Sequence, residues 1–250
     1  MKPADLLDLF DQAFAVQRAA LAPLTARERR ARTDRSGQYH LDTVADAVIL
    51  PILHDARLRV LSEESGWTGP ADATITVVLD PVDGSTNCAR NIPYWSISMC
   101  ALDEEGMLAA LVANGATGVR YTATRGEGAF VDGSALQPSP TEALDHAVVA
   151  ITGLPARSVG WRQFRALGSS ALSLCDVAAG NIDGFLDCVP DQHRPWDYLG
   201  GLLICREAGA PVADASGRDL VAADAHVRRR LVAAGTQALL DLLLRETRVP

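Results

Sequence analysis

The sequence predicts a layered protein of mixed α and β structure, α/β or α+β, with its sheets in two lobes. Three observations carry that expectation. Short runs rich in β-branched residues alternate with apolar residues at helical spacing. Both signals occur in both halves of the chain. At 48% hydrophobic residues over 250 positions there is enough apolar material for a sizeable core, and 22% charged residues is too few for wholesale disorder.

Taken in order, Leu6, Leu7, Phe10 and Phe14 fall at helical spacing and predict an opening amphipathic helix. The polar stretch 26–35 has two readings: an anion-binding patch or, the favoured one, a solvated helix end and loop. A second helix is expected from about Thr43, with Val44, Val48 and Ile52 on one face. Pro51 is expected to kink or divide it, because an interior proline costs ~3 kcal/mol. Strands are expected at 59–61 and 74–79, each running into an acidic cluster. Residues 95–102 and 107–112 predict a hairpin about Glu105-Gly106, and 126–133 a further strand with glycine turns. Pro138-Ser139-Pro140 marks a change, so 1–138 and 139–250 are expected to be two lobes of one domain. In the second lobe, strands at 147–151, 184–188 and 231–234 alternate with helices at 169–179 and 196–208. Leu239, Leu240, Leu243 and Leu244 then mark a last helix at about 237–245.

The charge balance narrows the function classes. Lys and Arg number 23 against 31 Asp and Glu, a net −8, which repels a phosphate backbone at long range and argues against a general nucleic-acid binder. A small anionic substrate is not excluded, since a bound cation inverts the local charge. No run approaches the ~18 apolar residues of a membrane span. Asp5, Asp8 and Asp11 interrupt the stretch of about 7 apolar residues that a signal peptide needs. Five cysteines without a Cys-x-x-Cys pair predict reduced thiols in a cytoplasmic protein.

The chemistry concentrates in Leu79-Asp80-Pro81-Val82-Asp83-Gly84-Ser85-Thr86-Asn87. A strand ends there in two carboxylates three residues apart. Pro81 is expected to stiffen a turn that aims both at one point, with the Val82 carbonyl between them. Oxygen ligands of this kind suit a hard cation such as Mg²⁺ rather than zinc. A helix starting near Ser85 would offer free N–H groups to a phosphate. Two further acidic strings are Leu61-Ser62-Glu63-Glu64-Ser65-Gly66 and Pro195-Trp196-Asp197-Tyr198-Leu199-Gly200-Gly201. Taken singly, these two read as a solvated strand end and a helix N-cap.

Together, in this order and spacing, the three strings resemble the inositol monophosphatase family of magnesium-dependent, lithium-sensitive phosphatases. Glu207-Ala208-Gly209 continues the match, which runs from about Thr43 to the last helix. The resemblance implies an αβαβα sandwich and a homodimer. It implies a Mg²⁺ site of two or three ions, with Mn²⁺ as a possible substitute, on Glu63, Asp80, the Val82 carbonyl, Asp83 and Asp197. Phosphate would rest on the N–H groups of Gly84 and Ser85. Thr43-Val44-Ala45-Asp46 matches the family's Thr-x-x-Asp pattern, so Asp46 is expected to support the Ser85 hydroxyl in activating water, with Glu63 as the third catalytic group. Ser85 replaces the threonine of most relatives and loses only a methyl group. Arg35 lies where relatives often carry a basic residue near the metals.

The resemblance also implies substrate contacts at Gly168, Ser169, Ser170 and Asp187. Asp187 stands where inositol-specific relatives have glutamate, and Ser170 replaces a small apolar residue. The segment 188–195 is longer than in those relatives. In it, His193 and Arg194 either contact a second anionic group or form loop surface. The expected partner is a small phosphorylated metabolite, with no nucleic acid and no membrane. Inositol-1-phosphate or a similar polyol phosphate leads. Histidinol phosphate, fructose-1,6-bisphosphate, NADP and 3′-phosphoadenosine phosphates are alternatives. A catalytically idle relative that binds a phosphate ligand or a protein is the alternative of another class.

Overall fold

The computed structural model describes residues 1–247, in which two sheets alternate with three layers of helix. The chain opens with α1 (Pro3–Leu21), α2 (Ala26–Arg30) and α3 (His40–Asp55). Then come β1 (Arg59–Ser62), β2 (Gly66–Thr68), β3 (Thr76–Asp83), α4 (Ser85–Arg90), β4 (Ser96–Asp103), β5 (Gly106–Asn114), β6 (Arg120–Thr124), β7 (Gly128–Val131) and β8 (Ser134–Ala135). After a 3₁₀ turn come β9 (Val148–Thr152), β10 (Gln163–Arg165), α5 (Ser170–Ala178), β11 (Gly184–Asp187), α6 (Pro195–Ala208), β12 (Val212–Asp214), β13 (Leu231–Ala234) and α7 (Gln237–Thr247).

The first sheet has the order β2-β1-β3-β4-β5-β6-β7-β8, antiparallel throughout except for β1 beside β3. The second has the order β10-β9-β11-β13-β12, with β9 parallel to both of its neighbours. Side chains alternate across each strand, so one sheet can serve two cores. Val77 and Leu79 pack with Leu6, Phe10 and Phe14 of α1 and Ile49 and Leu53 of α3. Val78, Cys100 and Val112 face the other way, onto Leu174 of α5 and Leu199 and Leu202 of α6. The far face of the second sheet, with Val149, Leu186 and Val232, carries Leu239 and Leu243 of α7. The layers therefore run α, β, α, β, α, as the resemblance implied. Each large side chain buried in them contributes about 1.5–3 kcal/mol of transfer free energy.

Glycine lets the central helices approach closely. A Cβ at Gly200 would stand 2.8 Å from Ser98 Oγ, and one at Gly201 would stand 2.7 Å from Leu174 Cβ. The glycine pair of the Trp-Asp string thus seats α6 against the first sheet on one side and α5 on the other. All five cysteines are free, and four of them are buried. No helix among the described residues is long and apolar enough to cross a membrane.

Three local expectations need correction. The buried face of α3 is Leu41, Ala45, Ile49 and Leu53, while Val44, Val48 and Ile52 are only partly covered. The helix begins three residues earlier than expected, at His40, and a one-position error in phase turns the apolar stripe by about 100°. Pro51 does not divide the helix. It lies on the exposed side together with Ala47, whose carbonyl loses its helical partner, so water can take the vacant bond. Finally, β3 does not stop at Leu79 before a turn. It runs to Asp83, and a register shift between Asp80 and Asp83 leaves Pro81 and Val82 outside the ladder with β4. That irregularity accommodates the missing proline N–H.

Candidate functional site

The ends of β1 and β3 and the first turns of α4, α5 and α6 meet at one place. Glu63 follows β1 directly, and its N–H donates to the Leu79 carbonyl at 3.0 Å, which locks it beside β3. Asp80 is 2% exposed, and its Oδ1 accepts the Val82 N–H at 2.9 Å. The Pro81 carbonyl between them accepts the Gln17 side chain of α1. Asp197 stands in the first turn of α6, with Oδ2 accepting the Arg194 N–H at 2.6 Å. One carboxylate oxygen from each of Glu63, Asp80 and Asp197 comes within 4.8 Å of the other two.

Asp83 lies next to this triplet, but one of its oxygens is already in use. Its Oδ2 accepts Ser169 Oγ at 2.5 Å and the Ala171 N–H at 2.8 Å. Gly84 turns the chain into α4 with a φ of +88°, and a Cβ there would meet the Gly168 carbonyl at 2.8 Å. Asn87 fastens the two segments, donating to the carbonyls of Tyr94 and Leu167 at 2.7 Å each. Gly84, Ser85, Gly168, Ser169 and Ser170 are thereby brought to one wall of the site.

The electrostatics follow from burial. Loss of solvent pushes the Glu63 and Asp80 carboxyls well above their usual range, and the surrounding carboxylates push them further. Asp83 is raised to about 6 by burial, despite the opposing bonds from Ser169 and Ala171. Asp197 is raised too, again by burial first. So many acids cannot all ionise unaided in so small a volume. A divalent cation with oxygen preference fits that deficit and the all-oxygen donor set.

Not every expected residue occupies its expected place. Asp46 is buried, but its oxygens accept from Ser62 Oγ at 2.5 Å and from Ser65 Oγ, and none of its bonds goes to Ser85. The carboxylate that does face the cluster is Asp42, one helical turn earlier. Its Oδ2 accepts the Tyr39 N–H at 2.8 Å, while its buried Oδ1 has no partner among the described residues. Burial raises it to about 7, and its charge is felt by Glu63, Asp80 and Cys88 of α4. Leu41-Asp42 and Ala45-Asp46 repeat at an interval of four. Both lie on the buried face of α3, so helix phase does not distinguish them, and only their hydrogen-bond partners do.

Asp187 also needs correction as a direct acceptor of substrate hydroxyls. It is 0% exposed, with Oδ1 taken by the Val189 N–H at 2.9 Å and Oδ2 by His193 Nδ1 at 2.7 Å. Arg35 does not point to a ligand. Its guanidinium donates to the carbonyls of Glu63 and Glu64 at 3.1 Å and pairs with the Glu64 carboxylate at 3.4 Å, so it shapes the Glu-Glu corner. Arg194 donates to the Ala225 carbonyl at 2.6 Å and lies over the Trp196 ring.

A five-layer sandwich with buried carboxylates where its strands end is the fold class of the inositol monophosphatases. The chain belongs to the inositol monophosphatase family, whose sequence model matches residues 8–249. It is 34% identical over 228 residues to an Archaeoglobus fulgidus protein named fructose-1,6-bisphosphatase/inositol-1-monophosphatase, covering 88% of each chain. It is 31% identical over 230 residues to the Nus factor SuhB of Escherichia coli K12, covering 82% of this chain and 85% of that one. Among solved structures it superposes with a TM-score of 0.89 on a hypothetical Pyrococcus horikoshii protein described as having similarities for inositol-1 monophosphatase. That match is at 25% identity over 98% of this chain and 99% of the other.

Proposed function

We propose that the chain is a Mg²⁺-dependent phosphomonoesterase acting on a small polyol or sugar phosphate of the inositol-1-phosphate kind. The observation that carries this reading is the approach of oxygens of Glu63, Asp80 and Asp197 to within 4.8 Å of one another, with Asp80 buried and the other two partly buried. Glu63, Asp80, Asp83 and Asp197, with the Val82 carbonyl, would hold Mg²⁺, or Mn²⁺ in its place. The cations would neutralise phosphoryl oxygens and make a water more acidic.

The chain's own groups do the rest in this reading. Backbone N–H groups of Gly84 and Ser85, at the start of α4, hold the phosphoryl oxygens. The Ser85 hydroxyl orients the attacking water in line with the bond that breaks. Asp42 takes the proton in place of Asp46, because it keeps a buried oxygen with no partner among the described residues while both oxygens of Asp46 are engaged by Ser62 and Ser65.

Phosphate release from inositol-1-phosphate, with the four alternative esters as a panel and with and without Mg²⁺, tests the proposal. Turnover that needs Mg²⁺ and favours the polyol ester is expected, as is inhibition by millimolar Li⁺ by likeness to the family. Activity that survives exhaustive chelation would sink the cation assignment. Relatives named Nus factor SuhB carry the other reading, a catalytically idle binding protein. A folded chain that releases phosphate from no ester in Mg²⁺ supports that one. The homodimer is carried as part of the proposal and is read from the mass in solution.

A further inference from the structure

The buried face of α1 is apolar except at one place. Leu6, Phe10, Ala13, Phe14 and Leu21 line it, and Gln17 interrupts them with a side chain that is 0% exposed. A buried amide is costly unless both of its ends are bonded. Only one is: Nε2 donates to the Pro81 carbonyl, and Oε1 has no partner among the described residues. A carbonyl only accepts, so the contact itself decides which amide atom faces Pro81. Packing alone would favour an apolar side chain of the same size. The amide is explained by what its donor holds.

What it holds is the middle of the irregularity in β3. Asp80 pairs with Ser98 and Asp83 with Ser96, so Pro81 and Val82 together stand opposite the single residue Ile97 of β4. Such a bulge leaves backbone groups without a ladder partner, and a buried carbonyl needs one. Gln17 supplies it from the outer helix layer, 64 positions away in the chain. The other end of the same peptide unit, the Val82 N–H, donates to Asp80 Oδ1 at 2.9 Å. Gln17 and Asp80 therefore grip opposite ends of one rigid plane, which cannot twist about its own C–N bond. With that plane fixed, the Asp80 carboxylate and the next carbonyl, that of Val82, have fixed directions too.

We propose that Gln17 is a positioning residue for the cation site. It sets the Pro81–Val82 peptide and, through it, the aim of Asp80 and of the Val82 carbonyl. The inference rests on the cation-dependent reading of this site and adds a residue that lies outside all three acidic strings. Gln17 acts only through the backbone that it holds.

The test is Mg²⁺ binding by the folded chain, read without any ester from the heat of titration and from the rise in Tm. Gln17→Met and Gln17→Leu both fill the amide's space with apolar atoms and lack the donor, so either one that folds carries the test. The Kd for Mg²⁺ should rise about ten-fold or more, as expected when a group that orients a ligand is lost. With inositol-1-phosphate, the Mg²⁺ concentration for half-maximal rate should rise by the same factor, while kcat at saturating Mg²⁺ returns close to that of the wild type. Phe14→Leu, on the same helix face, controls for packing: it should lower Tm and leave the Mg²⁺ Kd unchanged. An unchanged Kd in the Gln17 variants, or an equal change in Phe14→Leu, overturns the proposal and leaves the cation reading standing. Failure of both Gln17 variants to fold also overturns it, making Gln17 a residue of the fold alone. A wild-type chain that binds no Mg²⁺ overturns both.

Discussion

Asp42 and Asp46 share the buried face of α3 one turn apart, yet their surroundings assign them different work. Asp46 spends both oxygens on the hydroxyls of Ser62 and Ser65 and so braces the corner that carries Glu63. Asp42 keeps Oδ1 without a partner among the described residues. Asp42→Asn is therefore expected to slow turnover by a factor on the order of 10². Asp46→Asn should act chiefly on stability, by about 1–3 kcal/mol, because an amide cannot accept from both serines as the carboxylate does. Steady-state kinetics and denaturant unfolding of both variants separate the two effects, and equal losses in kcat would return the role to Asp46. Glu63, Asp80, Asp83 and Asp197 were readable in the sequence because each sits in a contiguous string whose chemistry needs it. Asp42 was not, since the Thr-x-x-Asp pattern fits one turn too late. The same limit hid Asp187, an acid whose two oxygens are consumed by Val189 and His193, a contact that only the folded loop reveals.

At the scale of elements, α3 shows how a correct helix can carry a wrong face. Ile49→Ala should cost about 2–5 kcal/mol, as a cavity between α1 and the first sheet. Val48→Ala, at a partly covered position, should cost under about 1 kcal/mol. Chemical denaturation of the two variants decides between the faces, and the reverse order would restore the expectation from sequence. The β4–β5 hairpin, β9, α5, α6 and α7 were all legible to within a few residues, because each carries a sustained period or a clear turn. The strands β2, β8, β10 and β12 were not, because two or three residues give too little periodicity to register, and the five-residue β6 was not read either. The end of β3 escaped for another reason: Pro81 argues for a turn in any local reading, and only pairing on either side of the irregularity makes it strand.

At the scale of the whole molecule, the buried acids govern how stability responds to pH. Asp42 at about 7 and Asp83 at about 6 both stand above the ordinary 3.8 of a free aspartate. Between roughly pH 4 and 7 the folded, cation-free protein holds protons that the unfolded chain has released, so stability falls as pH rises through that window. Asp103, held low by its bond from Arg125, works in the opposite sense, but only below the window. The Tm in a chelator should therefore climb from pH 7.5 to 5.5, and Mg²⁺ should flatten the slope by replacing the protons. A cation-free Tm that falls over the same interval would contradict the assignment.

The helices that cover the inner face of the first sheet lie far along the chain from its strands. Val78, Cys100 and Val112 are roofed by α5 and α6, which follow the last strand of that sheet. During synthesis the strands leave the ribosome with one apolar face bare, and Asp197 emerges later still. The segment 1–138 is consequently no free-standing unit. Until its cover arrives its bare apolar face is open to aggregation, and the newborn protein can gather its full set of carboxylates only once α6 has been made.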